Sequence, residues 1–313
     1  MQAVGADAAK AKVSRSFLFV PADSERKLAK ARDTGADALI VDLEDSVAAS
    51  MKPKAREIAR DFLTDKGDVE LWVRINPLDT EDALPDLRAV MPAGPRGIIL
   101  PKPVGARDAN QLAKLLDVLE LEGGHTPGQT SIIPIATERP AALFKMHEYA
   151  DATARLAALS WGAEDLSSAV GASACRDTSG NWLPPYELAR SLCLFAASAA
   201  EVAAIDTVYT DYRNTDGLAA CAASARRDGF EGMLAIHPDQ VAVINAAFDA
   251  SAAEIERANR IVELFAANPD AGTLGLDGEM IDRPHLLQAQ RILQKASSPT
   301  RVDRKSTRLN SSH

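Results

Sequence analysis

Eight apolar segments run through this chain, and each is followed by a stretch whose apolar residues recur at helical spacing. The segments that read as strands are Ser16–Pro21, Ala38–Asp45, Glu70–Asn76, Gly97–Lys102, Ser131–Thr137, Leu156–Gly162, Ala204–Thr210 and Gly232–Pro238. Alternation of strand and helix implies parallel pairing, because each crossover returns the chain to start its next strand in the same direction. Runs such as Leu39-Ile40-Val41 and Ile98-Ile99-Leu100 are apolar without a polar face, which fits strands covered on both sides. Eight such units are the number that closes a (β/α)₈ barrel. An open doubly wound sheet is the alternative architecture.

A length of 313 residues suits one barrel with an addition at its end. The barrel is expected over residues 13–250, with outer helices such as Glu25–Asp33, Lys52–Leu63, Arg107–Leu121 and Tyr186–Ala203, and a C-terminal helical extension over residues 251–298. That extension holds helical patterns at Ala252–Phe265 and Pro284–Lys295. Between them Gly272, Gly275 and Gly278 suggest either a mobile lid that delivers Asp282 or a plain linker. Met1–Lys12 reads as a loose N-terminus, and residues 299–313 as a disordered tail of non-native character, ending in what resembles a translated cloning scar.

Hydrophobic residues make up 46 % of the chain and charged residues 25 %, the balance of a soluble globular protein. The net charge of -9 is distributed along the chain and disfavours nucleic acid or an anionic membrane as partner. No apolar run reaches the roughly 18 residues of a membrane span. Cys175, Cys193 and Cys221 lack CxxC spacing and read as reduced thiols of a cytoplasmic protein. HxH, HExxH, GxGxxG and GxxxxGK[ST] patterns are absent from the sequence.

Two carboxylates, Glu138 and Asp165, follow the fifth and sixth apolar runs, so both should emerge at the barrel end that carries chemistry. Two acids with open positions suit a hard divalent ion such as Mg²⁺, with Mn²⁺ as a substitute; ordinary loop acids are the plainer reading. Other strand ends add Val41-Asp42-Leu43-Glu44-Asp45, Val73-Arg74-Ile75-Asn76 and Leu100-Pro101-Lys102. Arg74 could clamp a substrate carboxylate, or form a barrel ion pair with Glu44 or Asp45. Lys102 raises Schiff-base chemistry, against which the acid pair argues. His237 is expected to cap the helix that follows it rather than to act as acid or base.

Six ordered blocks carry a resemblance: Arg15–Pro21, Gly35–Val47, Val73–Pro77, Ala136–Glu138, Trp161–Leu166 and Ala235–Val241. Together they resemble the citrate lyase β-subunit-like family, the CoA-ester lyase branch of the HpcH/HpaI aldolase and citrate lyase superfamily. The resemblance implies a modified TIM barrel that cleaves or forms a carbon–carbon bond beside a CoA thioester. It places Mg²⁺ on Glu138 and Asp165, a substrate carboxylate on Arg74, and the metal's waters near Glu44 and Asp45. It also places Arg15, Lys27 and Lys102 among the basic groups near the CoA phosphates or the site. Asp282 matches an acid that related enzymes lend to a neighbouring subunit, which implies a homo-oligomer, trimeric or hexameric.

Metal-dependent pyruvate aldolases of the superfamily carry a His where this chain has Asp45, so the chain sides with the CoA-ester lyases. Trp161 in place of Phe and the extra Glu164 beside Asp165 are smaller departures. The implied reaction converts a 3-hydroxyacyl-CoA such as malyl-, citramalyl- or citryl-CoA into acetyl-CoA and a 2-oxo acid, with Asp282 protonating the enolate. A malyl-CoA thioesterase, a citrate lyase β subunit acting on an acyl-carrier protein, and a non-catalytic binding module are the alternatives.

Overall fold

The computed structural model describes residues 14–297; the expected loose N-terminus and residues 299–313 lie outside the described residues. Residues 14–248 form one compact unit and residues 249–297 another.

In the first unit, eight strands form one parallel sheet: β1 (Ser16–Pro21), β2 (Ala38–Asp42), β3 (Glu70–Arg74), β4 (Gly97–Leu100), β5 (Ser131–Pro134), β6 (Ala158–Ser160), β7 (Ala203–Asp206) and β8 (Gly232–Ala235). Their order is β5-β4-β3-β2-β1-β8-β7-β6. Parallel bridges from Ile132 to Leu156 and from Ile135 to Ser160 join β5 to β6 and close the ring. The fold is a (β/α)₈ barrel, and the open sheet is set aside.

Most strands end two to four residues earlier than the apolar pattern suggested. The polar residues that follow Asp42, Arg74 and Leu100 leave the ladder to build rim loops. The helices around the sheet are α1 (Glu25–Ala31), α2 (Lys52–Thr64), α3 (Ala83–Val90), α4 (Ala106–Glu122), the single turn α5 (Pro140–Leu143), α6 (Ala163–Val170), α7 (Pro184–Ala199), α8 (Thr215–Asp228) and α9 (Pro238–Phe248).

Side-chain alternation along the strands separates two cores. Phe17, Ile40, Trp72, Ile99, Ile133 and Ile205 fill the barrel interior. Leu18, Leu39, Val73, Ile98 and Leu159 face the helices instead. A filled interior leaves no channel, so polar groups that face inward must collect near the strand ends, where water and ligand can reach them.

The second unit consists of α10 (Ala252–Ala267), β9 (Thr273–Leu276), β10 (Glu279–Asp282) and α11 (Arg283–Ser297). Ser251 and Glu254 form a reciprocal capping box at the start of α10. Ile261, Phe265, Ile281 and Ala289 make the core of this unit. The glycine-rich stretch expected as a loop is instead an antiparallel hairpin in which Leu276 pairs with Glu279. Its turn is Asp277-Gly278, with φ of 50° and 83°. Two consecutive positive φ values make the hairpin turn that Asp-Gly favours, and this signal outweighs the loop reading.

Candidate active site

The strand C-termini gather the charged side chains of the barrel. Asp42 on β2 and Arg74 on β3 are direct register partners. Both continue the inward series of Ile40 and Trp72, so they face each other inside the barrel mouth. Arg74 Nε donates to Asp42 Oδ1 at 2.8 Å and Nη2 donates to Oδ2 at 2.7 Å. The pair is buried, with side chains 12 % and 1 % exposed. Nη1 lies 2.8 Å from Glu44 Oε2, an ion pair without hydrogen-bond alignment. The guanidinium also rests over the Phe19 ring, 4.7 Å from its centroid. Burial opposes the charge on Asp42, yet Arg74 holds its carboxyl below the usual range.

Arg74 therefore has the partner Glu44 named among the alternatives, plus one the sequence reading passed over, Asp42. Period-two alternation through Ala38 and Ile40 was the available signal for it. Asp45 does not reach Arg74 as an ion-pair partner in the site; it accepts from Lys102 Nζ at 2.7 Å.

Lys102 lies two residues beyond β4 with φ of 51°, a conformation unusual for a side chain other than glycine. Its Nζ sits 2.5 Å from Glu44 Oε1 and 3.4 Å from Asp165 Oδ1. Its backbone N–H donates to Glu138 Oε2 at 2.5 Å. One residue thus holds Glu44, Asp45 and Asp165 through its ammonium and Glu138 through its backbone. Burial works against that ammonium, but the hydrogen bonds to Asp45 and Glu44 prevail and hold its pKa above the ordinary value. An ammonium so held is a poor imine-forming nucleophile, which argues against the Schiff-base alternative.

Glu138 is 3 % exposed and lies against Gly162. A Cβ at position 162 would come within 2.6 Å of Glu138 Cγ, so the glycine makes room for this carboxylate. Burial, and then the Asp165 charge, push the Glu138 carboxyl up to about 8. Burial likewise raises Glu44. Asp165 stands in the first turn of α6, where the helix dipole favours an anion. Its neighbour Glu164 turns elsewhere and accepts from Cys175 Sγ at 3.6 Å.

The other expected site residues divide. Lys27 is exposed in the first turn of α1, directly after β1 and so on the same rim. Arg15 must be corrected: it precedes β1 and pairs with Asp37, which precedes β2, at the opposite end of the strands. Asp37 Oδ2 also accepts the Arg15 backbone N–H at 3.0 Å. The Arg-Ser start of the first block is therefore a structural clamp on the barrel floor. His237 accepts the Asp239 N–H at 3.3 Å as a cap and stacks on Tyr212 with centroids 4.6 Å apart. Asp282 belongs to the second unit, where it ends β10 and meets the His285 imidazole.

Asp42, Glu44, Asp45, Glu138 and Asp165 face Arg74 and Lys102, so carboxylates outnumber cations five to two. The imbalance, with Glu138 driven toward its neutral form, fits a hard divalent cation on Glu138 and Asp165. Among the described residues no three His, Cys, Asp or Glu side chains form a closed metal cage. A two-acid set with open positions is the donor pattern of Mg²⁺ that also receives substrate oxygens.

The model of the HpcH/HpaI aldolase/citrate lyase family matches residues 15–238, nearly the whole barrel. The chain belongs to that family. It is thus an enzyme of a carbon–carbon lyase family. Citrate lyase subunit beta of Haemophilus influenzae is 33 % identical, over 93 % of this chain and 100 % of its own length. A (3S)-malyl-CoA thioesterase of Cereibacter sphaeroides is 34 % identical, over 91 % of this chain and 95 % of its own. Among solved structures, protein CitE from Mycobacterium tuberculosis in complex with magnesium, acetoacetate and coenzyme A superposes with a TM-score of 0.78 at 32 % identity. That match covers 92 % of this chain and 100 % of CitE. Among the described residues of this family member, no helix is long and apolar enough to cross a membrane.

Proposed function

We propose that this enzyme is a Mg²⁺-dependent CoA-ester lyase that cleaves a 3-hydroxyacyl-CoA to acetyl-CoA and a 2-oxo acid, or runs the reverse condensation. The observation that carries the reading is the buried Glu138 gathered with Asp165 around Lys102 at the strand ends, with Glu138 hydrogen-bonded to the Lys102 backbone and Asp165 3.4 Å from its ammonium. Glu138 and Asp165 would hold the ion, with Mn²⁺ able to replace it. The protein is read as a cytoplasmic homo-oligomer, a trimer or hexamer.

Bound Mg²⁺ would lower the cost of negative charge on the hydroxyl oxygen as the carbon–carbon bond breaks. Arg74, pinned by Asp42, keeps N–H groups on Nη1 and Nη2 for the carboxylate of the oxo-acid half. Glu44 and Asp45, both tied to Lys102, hold the far wall of the site and order its water. Lys27, exposed on the rim, would meet the phosphates of coenzyme A. Asp282 carries the proton for the enolate carbon of the leaving acetyl-CoA, a task that needs the site closed to water.

Likeness to a malyl-CoA thioesterase favours a second reading on the same scaffold, in which water takes the thioester. Likeness to citrate lyase subunit beta favours a third, action on an acyl-carrier thioester. Purified protein is assayed with Mg²⁺ and, separately, malyl-, citramalyl- and citryl-CoA. Oxo acid with no free thiol is the expected product pattern. Free thiol without oxo acid establishes the thioesterase, and no turnover on all three points to the carrier-protein substrate. A Glu138→Ala/Asp165→Ala double variant that keeps metal-dependent turnover sinks the site assignment.

A further inference from the structure

We infer that Asp282 does not act alone: His285 is its positioning partner, and the two hold a single exchangeable proton as a unit. This rests on the proposed role of Asp282 in the lyase reaction. His285 Nδ1 stands 2.5 Å from Asp282 Oδ1. Two bare lone pairs cannot face each other at that distance, so a proton lies between them, whichever atom it is written on. The Asp282 backbone N–H also points at Nδ1, at 3.2 Å, and fixes the plane of the ring.

The local architecture keeps the contact in place. Asp282 is the last residue of β10 and Arg283 the first of α11, so the i to i+3 spacing turns the ring back onto the carboxylate. Ile281, fully buried, anchors the strand end from the other face. The other acids of the hairpin are matched with arginines of α10: Asp277 with Arg260 and Glu279 with Arg257. Asp282 is the hairpin acid that faces an imidazole. Both partners keep solvent-facing surface, with side chains 36 % and 45 % exposed, so the pair can reload from water.

The chemistry follows from the repulsion. When Asp282 gives its proton to the enolate methylene carbon, a new C–H bond forms and the Asp–His pair loses the hydrogen that held it together. The substrate's hydroxyl proton passes to water and the pair takes one back from water, so the proton count closes. In the condensing direction the proton-free pair removes a methyl proton from acetyl-CoA.

The test uses the full-length protein with Mg²⁺, the CoA ester it turns over, and deuterium exchange at the acetyl-CoA methyl group. His285→Ala should lower kcat and methyl exchange by about tenfold or more, less than the roughly 10²–10⁴-fold of an acid–base group itself, because His285 only positions the acid. KM should hold within about twofold, added imidazole should restore part of the loss, and His285→Asn should not. Unchanged exchange in His285→Ala overturns the proposal. So does full recovery by His285→Asn, which would make the contact a structural tether only. NMR of the histidine-labelled protein reads the pair without turnover: a strongly deshielded proton shared between His285 and the Asp282 carboxyl that disappears in Asp282→Ala is expected, and its absence in the intact protein also overturns the inference. Wild-type exchange in Asp282→Ala would instead remove Asp282 from the reaction, and the dyad's catalytic role with it.

Discussion

Asp42 and Arg74 stand directly opposite each other on neighbouring strands and share two hydrogen bonds of 2.8 and 2.7 Å inside the barrel mouth. The pairing decides how the site can use Arg74. With one edge of the guanidinium locked on Asp42 and a second nitrogen against Glu44, its plane is set before any ligand arrives. On the proposed function, the remaining N–H groups would meet a substrate carboxylate without a further search through rotamers.

Removing one member of a buried ion pair leaves the other unpaired, which costs about 3–5 kcal/mol. Asp42→Ala should therefore lower stability by that order in urea denaturation, while Asp42→Asn, which can still accept from Arg74, loses less. Both variants should raise KM for the CoA ester. If Asp42→Ala has the denaturation midpoint of the parent, the pair contributes little and the pre-set plane of Arg74 is not its doing.

Glu138 predicts an unusual pH dependence for the metal-free protein. Its folded pKa of about 8 lies above the ordinary carboxylate value of 4.5. Between those values the native state binds the proton more than the unfolded chain does, so this group's contribution to stability falls as pH rises from about 4.5 to about 8. Mg²⁺ requires the carboxylate, so its binding near neutral pH should release a proton and tighten as pH rises. Titration calorimetry in buffers of different ionisation enthalpy counts that proton; a heat independent of buffer contradicts the raised carboxyl.

Gly162→Ala tests the cradle around the same carboxylate. Its methyl group would sit 2.6 Å from Glu138 Cγ, so Glu138 must shift. Displacing a ligand's support typically costs about 10–100-fold in metal affinity. Mg²⁺ titration of a folded Gly162→Ala protein should show a loss of that order, and parent-like affinity would mean that Glu138 is not held where the ion binds.

Lys102 separates backbone from side chain. Its φ of 51° is costly for any residue with a Cβ, by about 1–2 kcal/mol. Lys102→Gly should thus be more stable than Lys102→Ala by about 1 kcal/mol in thermal or urea unfolding, although both lose the contacts to Glu44, Asp45 and Asp165. Equal stability of the two variants would show that the loop relaxes its backbone once the ammonium is gone.

The hairpin shows how local and wider signals compete. Glycines at 272, 275 and 278 suggest a loop when counted together. The Asp277-Gly278 step alone, flanked by Leu274, Leu276 and Ile281, carries the turn chemistry that builds β9 and β10. Arg15 shows the reverse case, in which a block that carries family likeness holds the floor of the barrel through Asp37 rather than the ligand rim.

The sequence by itself determined the strand–helix alternation of eight units, the acids at the ends of the fifth and sixth units, and the family likeness. Those features are written in local periodicity and in short ordered motifs, which any stretch of chain carries within itself. Only the tertiary structure decided which charges meet. Arg74 finds Asp42 across 32 positions, and Lys102 reaches Glu44 across 58 and Glu138 across 36. Such contacts depend on strand register and on the direction of each loop as it leaves the sheet, and no local pattern encodes either, because both follow from the closure of the whole ring.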